Sequence, residues 1–319
     1  MRYTLRKIST TLATLAAVSF FTFLAFHLIA GDPATTLLGT EATPERVAAL
    51  RSEMGLDAPL LLRYLRWLAA FVSGDMGQSH SYNIPVHTLI GDKIPITLTL
   101  TALAFVMIVA LAVPLGIHAA RRVGRPADRA IMAAGQIIMA VPPFFAGILL
   151  TLVFGLVLRF FTPGAYISYK ENGAGFLAYL IWPALAIALP KAAMAAKLLR
   201  GSLISELGQD YVRTAYGKGL SSRQVLYRHV LRNAIIPLIT FLGMALAEML
   251  VGSIIIEQVF GIPGMGRILL NAIGGRDYPV VMAVITCFAF FVLMANMIVD
   301  LGYGLADPRI GAVSRWEEP

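Results

Sequence analysis

Between residues 213 and 233 the chain reads RTAYGKGLSSRQVLYRHVLRN. Arg213, Lys218, Arg223, Arg228 and Arg232 stand there with His229 and without any acid. Cations gathered in this way favour an anionic ligand or an acidic partner surface. Carboxylates elsewhere are sparse. Glu248 and Glu257 lie within and at the end of an apolar run, and Asp300 at the edge of another. A carboxylate in such a run is costly unless it faces a cavity or a partner. Lys191 is the one cation inside an apolar run. The histidines, His27, His80, His87, His118 and His229, are scattered, and Cys287 is the only cysteine. That pattern excludes an intrachain disulfide and a multi-thiolate metal site. The chain has no G-x-x-x-x-G-K-[ST] phosphate loop, no H-E-x-x-H and no G-x-S-x-G. These residues support no ATP hydrolysis, no covalent catalysis and no cofactor or metal held by the chain itself. Uphill movement of a solute would take its energy from a partner or an ion gradient.

The elements that carry these residues are membrane spans. Of 319 residues, 58% are hydrophobic and 14% charged, where soluble domains carry about 25% charged residues. Formal charge +8 does not imply nucleic acid, because the cations flank apolar runs instead of lining one soluble face. Charge-free windows run from Ile8 to Gly31, Ile94 to Ala120, Ala130 to Leu158, Asn172 to Pro190 and Tyr278 to Val299. Another, Asn233 to Glu257, is broken only by Glu248. A spanning helix needs about 20 such residues. The reading is an all-α integral membrane protein with six spans, near 9–30, 97–119, 131–158, 177–198, 234–256 and 279–300, set in membrane lipid.

Placing the N-terminus inside puts 16 of the 26 Lys and Arg residues in inner segments and 9 in outer ones, with Lys191 in a span. That bias puts both termini, and segment 213–233, in the cytoplasm. The first span has the basic start of a signal peptide, but its length favours a retained anchor. Residues 1–30 form the tail and first span and 31–96 an outer segment. Residues 97–311 form a five-helix core and 312–319 a cytoplasmic tail.

Segment 206–233 predicts two short helices. The first ends at Gly217 and Gly219, and a Ser221-x-x-Gln224 capping box opens the second. The cations alone would serve as a topology signal. A tight turn adds shape, which a docking element needs and a topology signal does not. In the outer segment, Thr43 caps a helix starting at Pro44 and ending at Gly55, and a second runs from Pro59 to near Gly74. These are either a packed loop or a platform for an external partner. Segment 258–278 is too polar and glycine-rich to span. It predicts a short re-entrant or surface helix from Gly266 to Ala272.

Arg213-Thr214-Ala215, Gly219 and the later His229, Leu231 and Arg232 resemble the EAA loop, E-A-A-x3-G-x9-I-x-L-P, of bacterial ABC importer permeases. Arg213 replaces the acid and Arg232 the proline. Further phrases are similar to the dipeptide, oligopeptide and nickel type. They are AGDPA, MGLDAPL, GDMGQS, PVHTLI, IPITLTLT, VPLGI, VPPFF, DYVRTAYGKGL, RHVLRNAIIP, IIIEQVFGIPGMG, RDYP and ADPRI, spread over residues 5–311. The resemblance implies a type I importer permease fold in the bacterial cytoplasmic membrane. It implies a heterodimer with a sister permease, two cytoplasmic ATPase subunits that carry the ATP and Mg2+, and an external substrate-binding protein. It implies peptide transport, with a nickel or metal-chelate permease as the alternative. An ion-coupled secondary transporter, which should show paired acids at mid-membrane, is the reading from another class. By the resemblance the coupling segment comprises Arg213, Thr214, Ala215, Tyr216, Gly217, Lys218, Gly219 and Leu220, with Arg228, His229, Arg232 and Asn233.

Glu248, Glu257 and Asp300 are the candidates for the translocation path. Glu248 is about 14 residues, or about 21 Å, into the fifth predicted span. It either lines the path or is held between helices. Lys191 falls only about 9 Å from the inner end of the fourth predicted span. That difference in depth argues against a direct Lys191–Glu248 pair and for a lysine snorkelling inward. Asp300, at the inner edge, reads as structural. Pro183, Pro190 and Pro237 are expected to kink their helices.

Overall fold

The computed structural model describes residues 2–29, 35, 38, 42–53 and 57–306. The phrases AGDPA and ADPRI lie largely outside these residues, as do Met54, Gly55 and Leu56 of MGLDAPL. Among the described residues every regular element is a helix, with one isolated bridge between Gln78 and Pro85. The helices are α1 Arg2–Ile29, α2 Pro44–Glu53, α3 Leu60–Val72, α4 Val86–Gly91, α5 Ile94–Arg121, α6 Pro126–Ala140 and α7 Pro143–Leu150. A π-helical stretch, Thr151–Val157, continues α7. There follow α8 Gly173–Leu207, α9 Asp210–Gly217, α10 Ser222–Val225, a π turn Leu226–Val230, α11 Leu231–Ala234, α12 Ile236–Phe260, α13 Met265–Gly274 and α14 Tyr278–Ala306.

Among the described residues five helical stretches are long and apolar enough to cross a membrane, and the α6–α7 pair makes a sixth if counted as one span. The straight span expected over 131–158 is instead two helices bent by 103°. The cause is Val141-Pro142-Pro143. Two prolines remove two N–H donors, and each pushes its predecessor out of helical geometry. Val141 sits at ψ 120° and Pro142 at ψ 142°. Pro183 and Pro190 stay inside the unbroken α8. Pro237 occupies the first turn of α12, where a missing N–H leaves no bond unmade, so the kink expected there does not form.

The chain divides into two compact units, Met1–Pro95 with Arg267–Phe291, and Ile96–Gly266 with Val292–Pro319. The stretch 267–291, read from sequence within the 97–311 core, groups by contacts with the N-terminal segment.

In the first unit α3 lies along α1. The Tyr64 hydroxyl meets Ser19 Oγ at 2.8 Å and donates to the Ala16 carbonyl at 3.0 Å. Phe20, Phe23 and Trp67 pack around its ring. One face of the outer-segment helix is thus committed to internal packing. Thr43 Oγ1 accepts from the Arg46 amide, the N-cap expected from Thr43-Pro44.

The second unit is organised around α8, which packs against α6, α7 and α12. Lipid tails are as apolar as side chains, so helices in a membrane associate through close packing, and small residues permit it. Ala184, Ala188, Ala192, Ala195 and Ala196 on α8 are buried, with Leu180, Leu199 and Leu203 between them. On α5 the buried residues Ile96, Leu100, Ala104, Ile108 and Ala112 recur every four positions and form one stripe.

Candidate coupling surface and intramembrane ion pair

The basic segment folds as two short helices about a glycine turn. Val212 and Ala215 on α9, then Val225, Leu226, Val230 and Ala234, turn inward and are buried. The intervening Arg213, Thr214, Tyr216, Gly217, Lys218, Arg228, His229, Arg232 and Asn233 are exposed. Leu220 is half-buried against the core. Of the residues assigned to coupling, Ala215 therefore anchors the segment and the others present it.

Lys218 ends α9, and Gly219 takes φ +78°, the left-handed conformation that glycine adopts without strain. The Lys218, Gly219 and Leu220 amides donate back to Thr214, Tyr216 and Ala215, closing the turn. Ser221 then caps α10 as the sequence expects. Its hydroxyl accepts from the Gln224 amide, and the Gln224 side chain accepts from the Ser221 amide.

One strap fixes this elbow to α8, and a second ties α8 to α6. Tyr211 on α9 donates to Glu206 on α8 at 2.5 Å. Burial and the Glu206 carboxylate push the Tyr211 hydroxyl above its ordinary range, and the Asn233 side chain acts against them. Nearly two turns earlier on α8, Arg200 donates to both oxygens of Asp128 on α6, at 2.6 and 2.7 Å. The Gly124 amide adds a third bond to that carboxylate. The Arg213–Asp210 contact, at 3.7 Å between exposed side chains, contributes little, because water screens it. The elbow's outer surface is a cationic, shallow depression whose walls include Arg223, Tyr227 and Arg228.

The second feature lies inside the spans. Lys191 Nζ donates to Glu248 Oε2 at 2.5 Å. This overturns the expectation that the two differ too much in depth to pair. The error was in helix length. α8 continues to Leu207 instead of ending near residue 198, so Lys191 sits about 24 Å from its end. α12 begins at Ile236, placing Glu248 about 18 Å from its start. A lysine side chain bridges the remaining difference. The pair is asymmetric, with the Lys191 side chain 20% exposed and that of Glu248 68%.

Glu257 is unlike Glu248. It is fully buried. Thr97 Oγ1 donates to its Oε1 at 2.5 Å and the Gly266 amide to its Oε2 at 2.8 Å. The Met265 amide in turn donates to Thr97 Oγ1. This carboxylate pins the GIPGMG loop, with Ile262 and Met265 buried beneath it. A Cβ on Gly264 would meet the Glu257 carboxylate within 2.4 Å, so the loop approaches only without a side chain there. Asp300 lies on α14, with its side chain outside the described residues.

Known proteins were compared with this chain. Its residues 112–312 match the model of a family described as the binding-protein-dependent transport system inner membrane component, and residues 1–101 match the companion N-terminal model. The chain belongs to this family of transport permeases. A probable peptide ABC transporter permease of Sinorhizobium fredii is 36% identical, over 97% of this chain and 98% of its own length. A putative peptide transport system permease of Brucella abortus is 34% identical, over 96% and 98%. A glutathione transport system permease of Salmonella paratyphi A is 34% identical, over 97% and 99%.

In the permease, sequence reasoning missed three polar anchors. Asp128 and Arg200 carry a partial signal, an acid in the first turn of a helix opened by Pro126. Their pairing across 72 positions carries none. Asp277 is the third. Its carboxylate accepts from Ser79 Oγ at 2.5 Å and from the Ser81 and His80 amides at 3.1 and 3.2 Å. Burial acts to raise its pKa, but the Ser79 hydroxyl, these amides and the His80 side chain hold it below the ordinary carboxylate range. RDYP and GDMGQS, two phrases of the family resemblance, are thus the two halves of one clasp.

Proposed function

We propose that this permease carries short peptides into the cytoplasm as one half of the membrane channel of an ATP-driven importer. The observation that carries this reading is the elbow at 210–234. It is a cationic, glycine-turned element outside the spans, strapped to α8 by Tyr211 and Glu206 and continuous in the chain with α12. Such an element passes force from a partner into α8 and α12, and α8 is tied to α6 through Arg200 and Asp128. The partner in this reading is a pair of cytoplasmic ATPase subunits that bind ATP and Mg2+. The permease itself hydrolyses nothing. A sister permease completes the channel, and an external binding protein delivers the peptide. Both termini and the elbow face the cytoplasm, in keeping with the excess of Lys and Arg in those segments. Peptide is favoured over nickel because relatives similar along their whole length are named for peptide and for glutathione, a tripeptide.

The test is uptake of a labelled dipeptide into proteoliposomes holding the permease, its sister and the ATPases. Uptake is expected only with ATP inside the cytoplasmic compartment and the binding protein outside. Uptake driven by an ion gradient without ATP would contradict the reading.

A further inference from the structure

We propose that the Lys191–Glu248 pair reads the two charged ends of a peptide in transit, and that the apolar groove beside it receives the peptide's side chains. This inference rests on the peptide-import reading above.

The first argument is exposure. A carboxylate about 18 Å along a span cannot face hydrocarbon without large cost, yet most of the Glu248 side chain is uncovered. Along α12, Thr240, Met244, Glu248, Val251 and Ile255 are all exposed. Their spacing of three and four puts them on one face. That face, with a charge at its middle, turns away from lipid, toward the sister permease and the path between the two halves.

The second argument is what adjoins the pair. A groove of about 520 Å³ is lined by Met194 and Leu198 of α8 and by Pro237, Phe241 and Met244 of α12. Met194 is one turn from Lys191, and Met244 one turn from Glu248, so the ion pair stands one helical turn beyond these two lining residues. The groove's volume lies in the range of small-ligand sites.

The third argument is chemical fit. Every peptide, whatever its sequence, carries an ammonium and a carboxylate, and what varies is the side chains. The pair offers Glu248 to the ammonium and Lys191 to the carboxylate. Each charge exchanges one partner for another, and none is left unpaired in a low-dielectric site. An uncharged solute opens the pair with no such compensation. A dipeptide spans about 7 Å, a gap that Lys191 opens by swinging on its flexible stem. The varying side chains meet Met194 and Met244, whose unbranched thioethers adapt to different shapes.

The experiment uses the full complex in proteoliposomes with its binding protein and labelled dipeptide. Glu248→Gln and Lys191→Met should each lower uptake about tenfold or more. The double variant decides between roles, because it removes both charges and leaves none unpaired. If the pair reads substrate, the double variant stays low while the ATPases still co-purify with it. Uptake restored to the wild-type level in the double variant would show a purely structural pair and overturn the proposal. A second variant guards against misfolding. Glu248→Cys should regain uptake on reaction with sulfonatoethyl methanethiosulfonate, which restores an anion, and not with the trimethylammonioethyl reagent. Wild type, whose Cys287 is buried, is the control. Equal effects of the two reagents, or no reaction in the assembled complex, would also overturn it. Absence of ATP-dependent dipeptide uptake by the wild-type complex would instead remove the import reading itself.

Discussion

At the scale of single residues, chemistry was easier to find than geometry. Glu248 and Glu257 look alike in sequence, each a lone acid in the same apolar helix. One is exposed beside Lys191, and the other is sealed under the GIPGMG loop. The difference is decided by Gly264 and Gly266, which let the turn just after Glu257 fold back over it and against Ile254. A reader of the sequence sees the glycines but not what they approach. Asp277 is a similar case, since its partners lie nearly two hundred positions away. Its clasp gives a pH prediction. The folded carboxylate has a lowered pKa, so its contribution is complete above the ordinary carboxylate range and is lost only as pH falls through the lower folded value. Hydrogen exchange at residues 79–82 should therefore stay protected in wild type down to the lower edge of that range. In Asp277→Asn the protection should be weaker at neutral pH and nearly independent of pH. Equal protection in the two proteins would contradict the role given to the clasp.

At the scale of elements, the elbow was legible because its signals are local. Glycine ends one helix, Ser221 and Gln224 cap the next, and neither needs a distant partner. The α6–α7 bend was half legible. Val141-Pro142-Pro143 stood inside a run of residues long and apolar enough to be one span, and apolar length outweighed the prolines in the reading. The Lys191–Glu248 pair was misjudged because hydropathy marks where a span leaves the apolar layer and not where its helix stops. α8 continues through Lys197 and Arg200 to Leu207. The elbow also yields the element-scale prediction. Gly219 needs φ +78°, which proline, fixed near −65°, cannot adopt. Gly219→Pro should abolish peptide uptake while the permease still inserts. Gly219→Ala should be milder, near the 1–2 kcal/mol that a left-handed alanine costs (about that, from model residues). Wild-type uptake by Gly219→Pro would contradict the elbow's role, and insertion is checked by the amount of full-length permease in washed membranes.

At the scale of the whole molecule, the reading rests on a division of labour. In the proposed function the spans supply a route, the elbow supplies a grip, and the chemistry that releases energy sits on other chains. Composition and charge-free windows fixed the membrane class without help. The grouping of Arg267–Phe291 with the N-terminal unit was not legible, because it depends on contacts between segments far apart in the chain, such as the Asp277 clasp. The most direct test of the central claim is co-purification from gently solubilised membranes. Tagged wild-type permease is compared with a variant lacking residues 213–219. The account predicts that wild type brings down a sister permease and two ATPase subunits, and that the deletion keeps the sister permease and loses the ATPases. A wild-type permease that emerges alone and still transports peptide, or a deletion that retains its ATPases, would contradict it.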